Sequence, residues 1–432
     1  MLTALHHNND SVFRLSLFQE FPTLMHYQSF GGYEALKQAL TGNPVNIIET
    51  LAAAGLRGRG GAAFPTGLKM QMVRNNAEPV RYVICNADEG EPGTFKDRFI
   101  MSHIPFQLLE GMTLAAYAVG ARKGYIYIRH EYPEVQDTMR RSIVAASAAG
   151  LLGKNILGQE FSFEVEIFSG AGSYLCGEET ALLSSMEGKK GRPRLKPPYP
   201  TQYGLWGKPT LINNVETLAN ISMIISRGAS WYRSLGTSDS PGTKLISLSG
   251  DVARRGLYEV PFGTTFREMI EEYGGGMKEG GSIKAVNIGG ASGVVVPPWE
   301  LDCTLEYQSC QERGITIGSG AVFVMNESRS ILANVHNRVE FFLHESCGKC
   351  TPCREGLRQA GRIIHRLIAG EAELSEVDNL ERYTRAMQNA AFCGLGQAAG
   401  NSLISSLRYF RQEYEEACLD STQRFERREV TA

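Results

Sequence analysis

Apolar positions in this chain follow two rhythms, one near 3.6 residues and one of short continuous runs, and they alternate along its first half. Val45 to Ala54 reads as an amphipathic helix entered through Asn43-Pro44 and stopped by Gly55. Arg81 to Cys85 is a short apolar run, the pattern of a buried strand, and it feeds an acidic turn. Pro105 to Gly120 is an apolar helix, Gly124 to Arg129 a strand, and Glu134 to Ala149 a helix with polar and apolar positions at the helical period. Phe163 to Phe168 is a further strand, entering a Gly-rich turn over 170–177, and Glu179 to Glu187 is helical. This β-α-β alternation predicts a three-layer α/β domain reaching to about residue 238.

The pattern then changes. Lys244 to Gly250, Gly256 to Pro261 and Ala285 to Ile288 read as short strands, with a helix near Thr265 to Tyr273, enough for a small α+β domain ending near 330. From Ile331 to about Cys418 the period is helical, with Pro and Gly sparse outside the cysteine loops, which predicts a bundle of four helices. Residues 1–40 read as an irregular arm with short helical pieces, and residues 55–67 as a Gly-rich loop. The charged tail, Leu419 to Ala432, has no apolar face and is expected to be disordered. The expected divisions are therefore 1–66 (arm and Gly-rich loop), 67–238 (α/β), 239–330 (α+β), 331–418 (bundle) and 419–432 (tail), with no internal repeat.

Composition narrows the function classes. A net charge of −2 over 432 residues gives no electrostatic footprint for nucleic acid or an anionic membrane surface. No apolar run approaches a membrane span, and Met1 to Asp10 lacks the basic and apolar regions of a signal peptide. Nine cysteines, four of them grouped as if for metal, fit a reducing cytoplasm. The other five, Cys85, Cys176, Cys303, Cys310 and Cys418, read as small hydrophobes.

The grouped cysteines carry the sharpest signal. Cys347, Cys350 and Cys353 form a C-x-x-C-x-x-C run, and Cys393 follows in Phe-Cys-Gly-Leu-Gly-Gln. Three thiolates at this spacing can wrap one face of a cube-shaped cluster, and a distant fourth can close it. Soft thiolates select iron–sulfur or zinc, although zinc more often takes paired C-x-x-C knuckles. Apolar flanks at Phe341, Phe342 and Phe392 suit a cluster whose potential is set by its shell.

Three loops add nucleotide chemistry. In Gly55 to Lys69, glycines at 58, 60 and 61 free backbone amides to approach a ligand, and Arg57, Arg59 and Lys69 add positive charge. Gly58-x-Gly60-x-x-Ala63 formally matches a dinucleotide fingerprint, but a helix precedes it where a strand is required. It reads as a phosphate or flavin cradle, or as a mobile surface loop. In Cys85 to Arg98, Asn86 can read amide edges, and Asp88, Glu89 and Glu91 can accept hydroxyl or carboxamide protons. The alternative is a solvated acidic turn balanced by Lys96 and Arg98. In Gly170 to Thr180, Glu178 and Glu179 stand at a helix start, either as caps or as acceptors for hydroxyls or a flavin ring. Arg194 to Tyr199 holds a cation and an aromatic on a Pro-Pro frame, and Asn213 and Asn214 complete a polar set. The eight histidines are scattered and no nucleophile–base pair is legible, so hydrolytic and acyl-transfer chemistry has little support. Nucleotide loops with one cluster suggest electron transfer, in which cofactors carry the chemistry.

At these loops the chain resembles the NADH-binding, FMN-containing flavoprotein subunit of respiratory complex I and the related diaphorase subunits of NAD-linked hydrogenases and formate dehydrogenases. The matching blocks include Gly-Arg-Gly-Gly-Ala-Ala-Phe-Pro-Thr-Gly-Leu-Lys, Cys-Asn-Ala-Asp-Glu-Gly-Glu-Pro-Gly, Gly-Ala-Gly-Ser-Tyr-Leu-Cys-Gly-Glu-Glu-Thr, Lys-Pro-Pro-Tyr-Pro, Asn-Asn-Val-Glu-Thr and Glu-Ser-Cys-Gly-Lys-Cys-Thr-Pro-Cys-Arg. The resemblance implies an N-terminal arm, a Rossmann-like FMN domain, a ubiquitin-like domain and a four-helix bundle carrying a [4Fe–4S] cluster. It implies that Gly58, Arg59, Gly60, Gly61, Lys69, Asn86, Asp88, Gly177, Glu178, Asn213 and Asn214 hold FMN. Phe64, Glu91, Glu179, Lys196 and Tyr199 would meet NAD(H), with Phe64 and Tyr199 near the adenine and Glu91 near the nicotinamide nucleotide. Cys347, Cys350, Cys353 and Cys393 would ligate the cluster.

Departures from the family pattern are Ala63 for a glycine, Met70 and Met72 for aromatics, and Tyr199 for phenylalanine. The implied activity is NADH:acceptor oxidoreduction, by hydride exchange with FMN and single-electron transfer to the cluster. The implied partners are a separate thioredoxin-like [2Fe–2S] subunit and a larger iron–sulfur or catalytic subunit, with no nucleic acid and no membrane insertion. The implied place is the cytoplasm, reaching the inner membrane's cytoplasmic face only through partners. The alternative from another class is a zinc-stapled, non-catalytic scaffold.

Overall fold

A computed structural model of the chain describes residues 11–13 and 23–418. The expected tail and most of the first twenty-two residues, His6 and His7 included, lie outside them. The first sheet is fully parallel, in the order β3 (Glu164–Ser169), β2 (Lys123–Ile128), β1 (Tyr82–Ala87), β4 (Thr210–Asn214). Its central strand is covered on both faces, as a parallel sheet requires. Val83, Cys85 and Ala87 of β1 pack into a large core with the helices Pro105–Val119 and Val215–Arg227. Ile84, between them, faces a second cluster with Leu182, Leu183 and Met186 of the helix Glu179–Met186. Tyr27, Tyr33, Leu36, Ile47 and Leu51 belong to the first core, so the described part of the arm is continuous with the α/β unit.

The second sheet is mixed, in the order β6 (Gly256–Pro261), β5 (Thr243–Gly250), β9 (Ala321–Asn326), β7 (Ile283–Ile288), β8 (Val294–Val296). β5 and β9 are parallel and the remaining pairs antiparallel. The helix expected near Thr265–Tyr273 is one short turn, Phe266–Glu268, continued by a π-turn over Met269–Tyr273. C-terminal to this sheet lie four long helices, Ile331–Glu345, Thr351–Ile368, Leu374–Ala390 and Asn401–Glu416, with a short one at Gly394–Ala398. The chain is thus a mixed α/β protein with a parallel sheet and a C-terminal helical region.

Several boundaries match the sequence reading because Pro and Gly punctuate them. Val45–Ala54 ends at Gly55 with φ 71°, and Pro105–Val119 ends at Gly120 with φ 75°. β4, β8, β9 and the helix Lys96–His103 were not anticipated. β4 is five residues long, and the helix follows a segment so rich in Gly, Pro and acids that it reads as loop. No described helix is long and apolar enough to cross a membrane.

Candidate functional site

The polar residues nominated from sequence converge where parallel sheets place ligands, beyond the C-terminal ends of the strands. β1 and β4 run side by side in the register Cys85–Asn213 and Asn86–Asn214. The Asn86 amide donates to the Gly177 carbonyl at 2.8 Å, which ties the 170–177 turn to β1. Beside it, Asp88 Oδ2 and Asn213 Nδ2 are buried and have no hydrogen-bond partner among the described residues. Orphaned buried polar atoms are costly unless something else satisfies them. Burial pushes the Asp88 carboxyl up to about 8, with Arg129 offsetting this only in part. At neutral pH Asp88 is therefore largely protonated and can donate a hydrogen bond.

The Gly loop reaches this place from the end of the helix Val45–Ala54. Gly58 N–H donates to the Phe64 carbonyl at 2.9 Å, and Thr66 N–H to the Leu56 carbonyl at 2.8 Å, so the loop closes on itself and is not a mobile surface loop. Gly61 takes φ +123°, which only glycine adopts readily, and a Cβ on Gly60 would come within 3.0 Å of the Asn214 side chain. Ala63, at the position where the family pattern has glycine, is held at φ 52°.

Two side chains implied as FMN contacts are engaged elsewhere. Arg59 is buried, and its guanidinium donates to the hydroxyls of Tyr307 (2.8 Å) and Tyr232 (2.7 Å) and to the Pro241 carbonyl (3.2 Å), with the Phe262 ring 4.7 Å away. It fastens the loop to the helix Ala229–Ser234, to the segment leading into β5 and to the connection between β8 and β9, so its guanidinium is already engaged. Its own backbone N–H donates to Thr217 Oγ1 at 2.8 Å. Asn214 is equally occupied. Its Oδ1 accepts from Lys96 Nζ (2.9 Å) and caps the helix Val215–Arg227 through Glu216 N (3.1 Å), and its Nδ2 donates to Asp97 at 2.7 Å.

Behind these residues lies a buried charge network that sequence reading missed. Lys96 Nζ is 2.6 Å from Asp97 and 3.1 Å from Glu216, and Lys244 Nζ is 2.5 Å from Glu216. Burial alone would strip the Lys96 proton, but Asp97 and Glu216 outweigh it and hold the ammonium well above its usual value. Lys244 is the weaker cation, brought down to about 7 by burial despite Glu216. Glu89 accepts from the backbone N–H groups of Asp97 (2.7 Å) and Arg98 (3.0 Å), starting the helix Lys96–His103. The acidic turn is therefore not solvated, because Glu89 and Lys96 are both buried. Glu216 stood in a quoted motif without a role, and Lys96 looked like a surface counter-ion.

At the next helix start the cap reading holds for Glu178, and both acids pair with a lysine. Glu178 Oε2 accepts from the backbone N–H groups of Thr180 and Ala181, each at 2.9 Å, as a helix cap. Lys196 Nζ lies 3.0 Å from Glu178 and 2.6 Å from Glu179, and Lys69 Nζ lies 4.0 Å from Glu179. Lys69 also donates to the Ile212 carbonyl at 3.1 Å and lies 5.8 Å from the Phe64 ring. Phe64 and Tyr199 are 38% and 53% exposed, so both rings present a free face. Of the two methionines that stand where the family has aromatics, Met70 is fully buried and Met72 is exposed. Glu91 is a clamp, accepting from the Tyr174 hydroxyl (2.7 Å) and from Ser292 N (2.9 Å) and Oγ (3.0 Å).

The four cysteines line one small cavity with Leu175, Pro193 and Phe392. Cys350 caps the helix Thr351–Ile368, Cys353 lies in its first turn, and Cys393 caps Gly394–Ala398. Four thiols facing one mainly apolar cavity are a soft donor set of the kind that holds an iron–sulfur cluster. Burial, with the neighbouring thiols adding to it, pushes Cys353 up to about 11, so a bound metal must displace that proton.

The two sites are far apart in sequence but adjacent in space, because the 170–177 turn walls both. Tyr174 bonds Glu91 on one side and places its ring 5.1 Å from Phe341 on the other, while Leu175 lines the cysteine cavity. Of the remaining cysteines, Cys85, Cys176, Cys303 and Cys310 are buried, as hydrophobes would be.

A parallel α/β unit with partnerless polar groups at its strand ends, sharing a turn with a thiolate cavity, defines a protein that brings a nucleotide-type ligand beside a sulfur-bound metal group. The family model for the Nuo51 FMN-binding domain matches residues 51–223, and that for the NADH-ubiquinone oxidoreductase-F iron-sulfur binding region matches 333–417. The second NADH-quinone oxidoreductase F subunit of Rhizobium meliloti is 47% identical over 90% of this chain and 92% of its own length. The corresponding F subunit of Escherichia coli is 45% identical over 90% and 88%, and the HndC subunit of the NADP-reducing hydrogenase of Solidesulfovibrio fructosivorans 42% over 90% and 79%. A crystal structure of an NAD+-reducing [NiFe]-hydrogenase in its H2-reduced state superposes with a TM-score of 0.81 at 39% identity, covering 93% of this chain and 67% of that one. The chain belongs to the family of NADH-quinone oxidoreductase F subunits.

Proposed function

We propose that the chain is the NADH-oxidising flavoprotein subunit of a multisubunit redox complex, working in either direction between NAD(H) and a partner iron–sulfur protein. The first sheet and its helices act as a Rossmann-like FMN domain, the second sheet as a ubiquitin-like spacer, and the helical region as the cluster holder. When bound, FMN supplies the conversion between hydride and single electrons, and a [4Fe–4S] cluster on Cys347, Cys350, Cys353 and Cys393 supplies a one-electron exit.

The protein's own part is binding and orientation. Asp88 and Asn213 offer the flavin the hydrogen bonds that the protein leaves unmade. The Gly58–Gly61 backbone closes over it, and the Lys96–Asp97–Asn214–Glu216 network fixes the floor beneath. Phe64 and Tyr199 stack the adenine of NAD(H). Glu179, held by Lys69 and Lys196, accepts ribose hydroxyls and repels a 2′-phosphate. Tyr174 spaces the flavin from the cluster. The electrons leave toward a thioredoxin-like [2Fe–2S] subunit and a larger iron–sulfur or catalytic subunit, in the cytoplasm and without membrane insertion of this chain. The observation that carries this reading is the 170–177 turn, whose consecutive residues Tyr174 and Leu175 contact the strand-end site and the cysteine cavity.

The test is anaerobic purification followed by metal analysis and an absorption spectrum. Iron, acid-labile sulfide and FMN should be found together, and NADH should bleach the flavin. Zinc without flavin would instead identify a non-catalytic scaffold, a role for which partnerless Asp88 and Asn213 have no use.

A further inference from the structure

A second cleft, of about 630 Å3, opens between the Gly loop, the second sheet and the helix Asn401–Glu416. Gly61, Ala62 and Ala63 form part of its wall. None of Phe64, Lys69, Glu179, Lys196 or Tyr199 lines it, and of the residues implied for FMN only Gly61 does, so it opens on the other side of the Gly loop and shares only that wall with the nucleotide site. Its volume lies within the range of small-molecule sites, roughly 300–1,000 Å3.

The lining is electrostatically one-sided. Three arginines, Arg57, Arg313 and Arg408, face it, and no aspartate or glutamate among the described residues does. Glu300, just outside, pairs with Arg313 at 3.3 Å. Arg57 and Arg408 have no carboxylate partner among the described residues. Each lies against a tyrosine that also lines the cleft, Arg57 at 5.3 Å from the Tyr307 ring and Arg408 at 4.9 Å from the Tyr409 ring. Carboxylates border the cleft in two places: Glu300 also accepts from the Tyr409 hydroxyl at 3.1 Å, and Asp239 and Glu312 lie in a neighbouring hollow that Arg57 and Tyr307 share. A guanidinium fork matches phosphate oxygens in pairs, and a tyrosine face or the Gln311 amide can read a base.

We propose that this cleft binds a nucleoside di- or triphosphate, with its phosphates on Arg57 and Arg408 and its base against a tyrosine. The site is separate from the one that takes NAD(H), and the proposal does not depend on the redox reading.

The test is calorimetric titration of the full-length, FMN-loaded protein with GTP and with inorganic pyrophosphate, in saturating NAD+ so that the other nucleotide site is filled. One saturable GTP site is expected, and Arg408→Gln, a change at an exposed side chain, should weaken it at least tenfold. Arg408→Lys should recover part of the loss, and Arg57→Gln should give a comparable loss. Tighter binding of GTP than of pyrophosphate is the expected order. No saturable GTP binding, GTP binding that disappears when NAD+ is added, or an unchanged Kd in Arg408→Gln would each overturn the proposal. Capture of an acidic peptide but of neither phosphate probe would overturn it in favour of a protein-docking face.

Discussion

At the ends of β1 and β4, charges are buried and paired: Lys96, Asp97, Glu216 and Lys244 form a closed set beneath the Gly loop. Across the 170–177 turn, the cysteine cavity has an apolar wall of Leu175, Pro193 and Phe392, and the ammonium of Lys349 lies over the Phe392 ring at 3.9 Å. The strand-end side thus pairs its charges with one another and leaves an amide nitrogen, Asn213 Nδ2, and a carboxyl oxygen, Asp88 Oδ2, without a partner among the described residues. The cysteine side supplies soft sulfur in a mainly apolar wall, with polar contacts to it from the Ser346 hydroxyl (3.4 Å from Cys353 Sγ) and the Phe392 N–H (3.5 Å from Cys350 Sγ). The difference teaches that the charged residues of a cofactor motif need not be those that touch the cofactor. Here several of them pair with one another beneath the Gly loop, while Asp88 and Asn213 keep buried polar atoms that no described residue satisfies.

The largest break in that contrast should come from Lys96→Met. Removing one member of a buried ion network leaves uncompensated charge, at a cost of about 3–5 kcal/mol. Denaturant unfolding should show that loss, and FMN retention should fall with it. A variant within about 1 kcal/mol of the wild type would mean that the network does not scaffold the site.

Gly60→Val tests the flavin side alone. The new Cβ would meet Asn214 at 3.0 Å and carry two further methyl groups into the loop. The purified variant should lack flavin absorption yet keep the cluster's broad absorption, whereas stoichiometric FMN would show that residues 58–69 are not the cradle.

Glu179→Gln sharpens the role of the paired acids. A unit charge about 4 Å from a 2′-phosphate oxygen costs roughly 4 kcal/mol at an effective dielectric near 20 before screening. Lys69 and Lys196 offset part of it, so kcat/KM for NADPH should rise by at least about tenfold, or ~1.4 kcal/mol. An unchanged value would remove Glu179 from the discrimination.

The smallest effect belongs to Ala63→Gly. The left-handed backbone at φ 52° costs alanine about 1 kcal/mol, part of which glycine returns as unfolded-chain entropy. Stability should rise by less than ~1 kcal/mol on thermal unfolding, and a fall would mean that the Ala63 methyl packs usefully.

Legibility followed the reach of each signal. Val45–Ala54 and Gly256–Pro261 were readable to the residue, because apolar period and breakers coincide there. β4 and β9 were not, since a run as short as Thr-Leu-Ile-Asn-Asn, or as uniformly apolar as Ala-Val-Phe-Val-Met-Asn, gains its strand identity from neighbours distant in sequence. That the four cysteines meet in one cavity was legible from spacing, since three of them lie within one loop and helix start. The roles of Arg59, Asn214 and Lys96 were not. An arginine in a Gly loop looks like a phosphate ligand until Tyr232, from the helix Ala229–Ser234, and Tyr307, from the connection between β8 and β9, are seen to hold it. Nor does sequence distance reveal that the 170–177 turn is shared by both sites.

The account's central claim is a division of labour across that turn, which Cys350→Ala tests most directly. The variant should keep FMN and should still reduce ferricyanide with NADH, because that acceptor can take electrons from the flavin side. It should lose the cluster signal and all electron delivery to an iron–sulfur partner. Undiminished delivery to the partner, or loss of both activities in a folded, FMN-loaded variant, would contradict the claim.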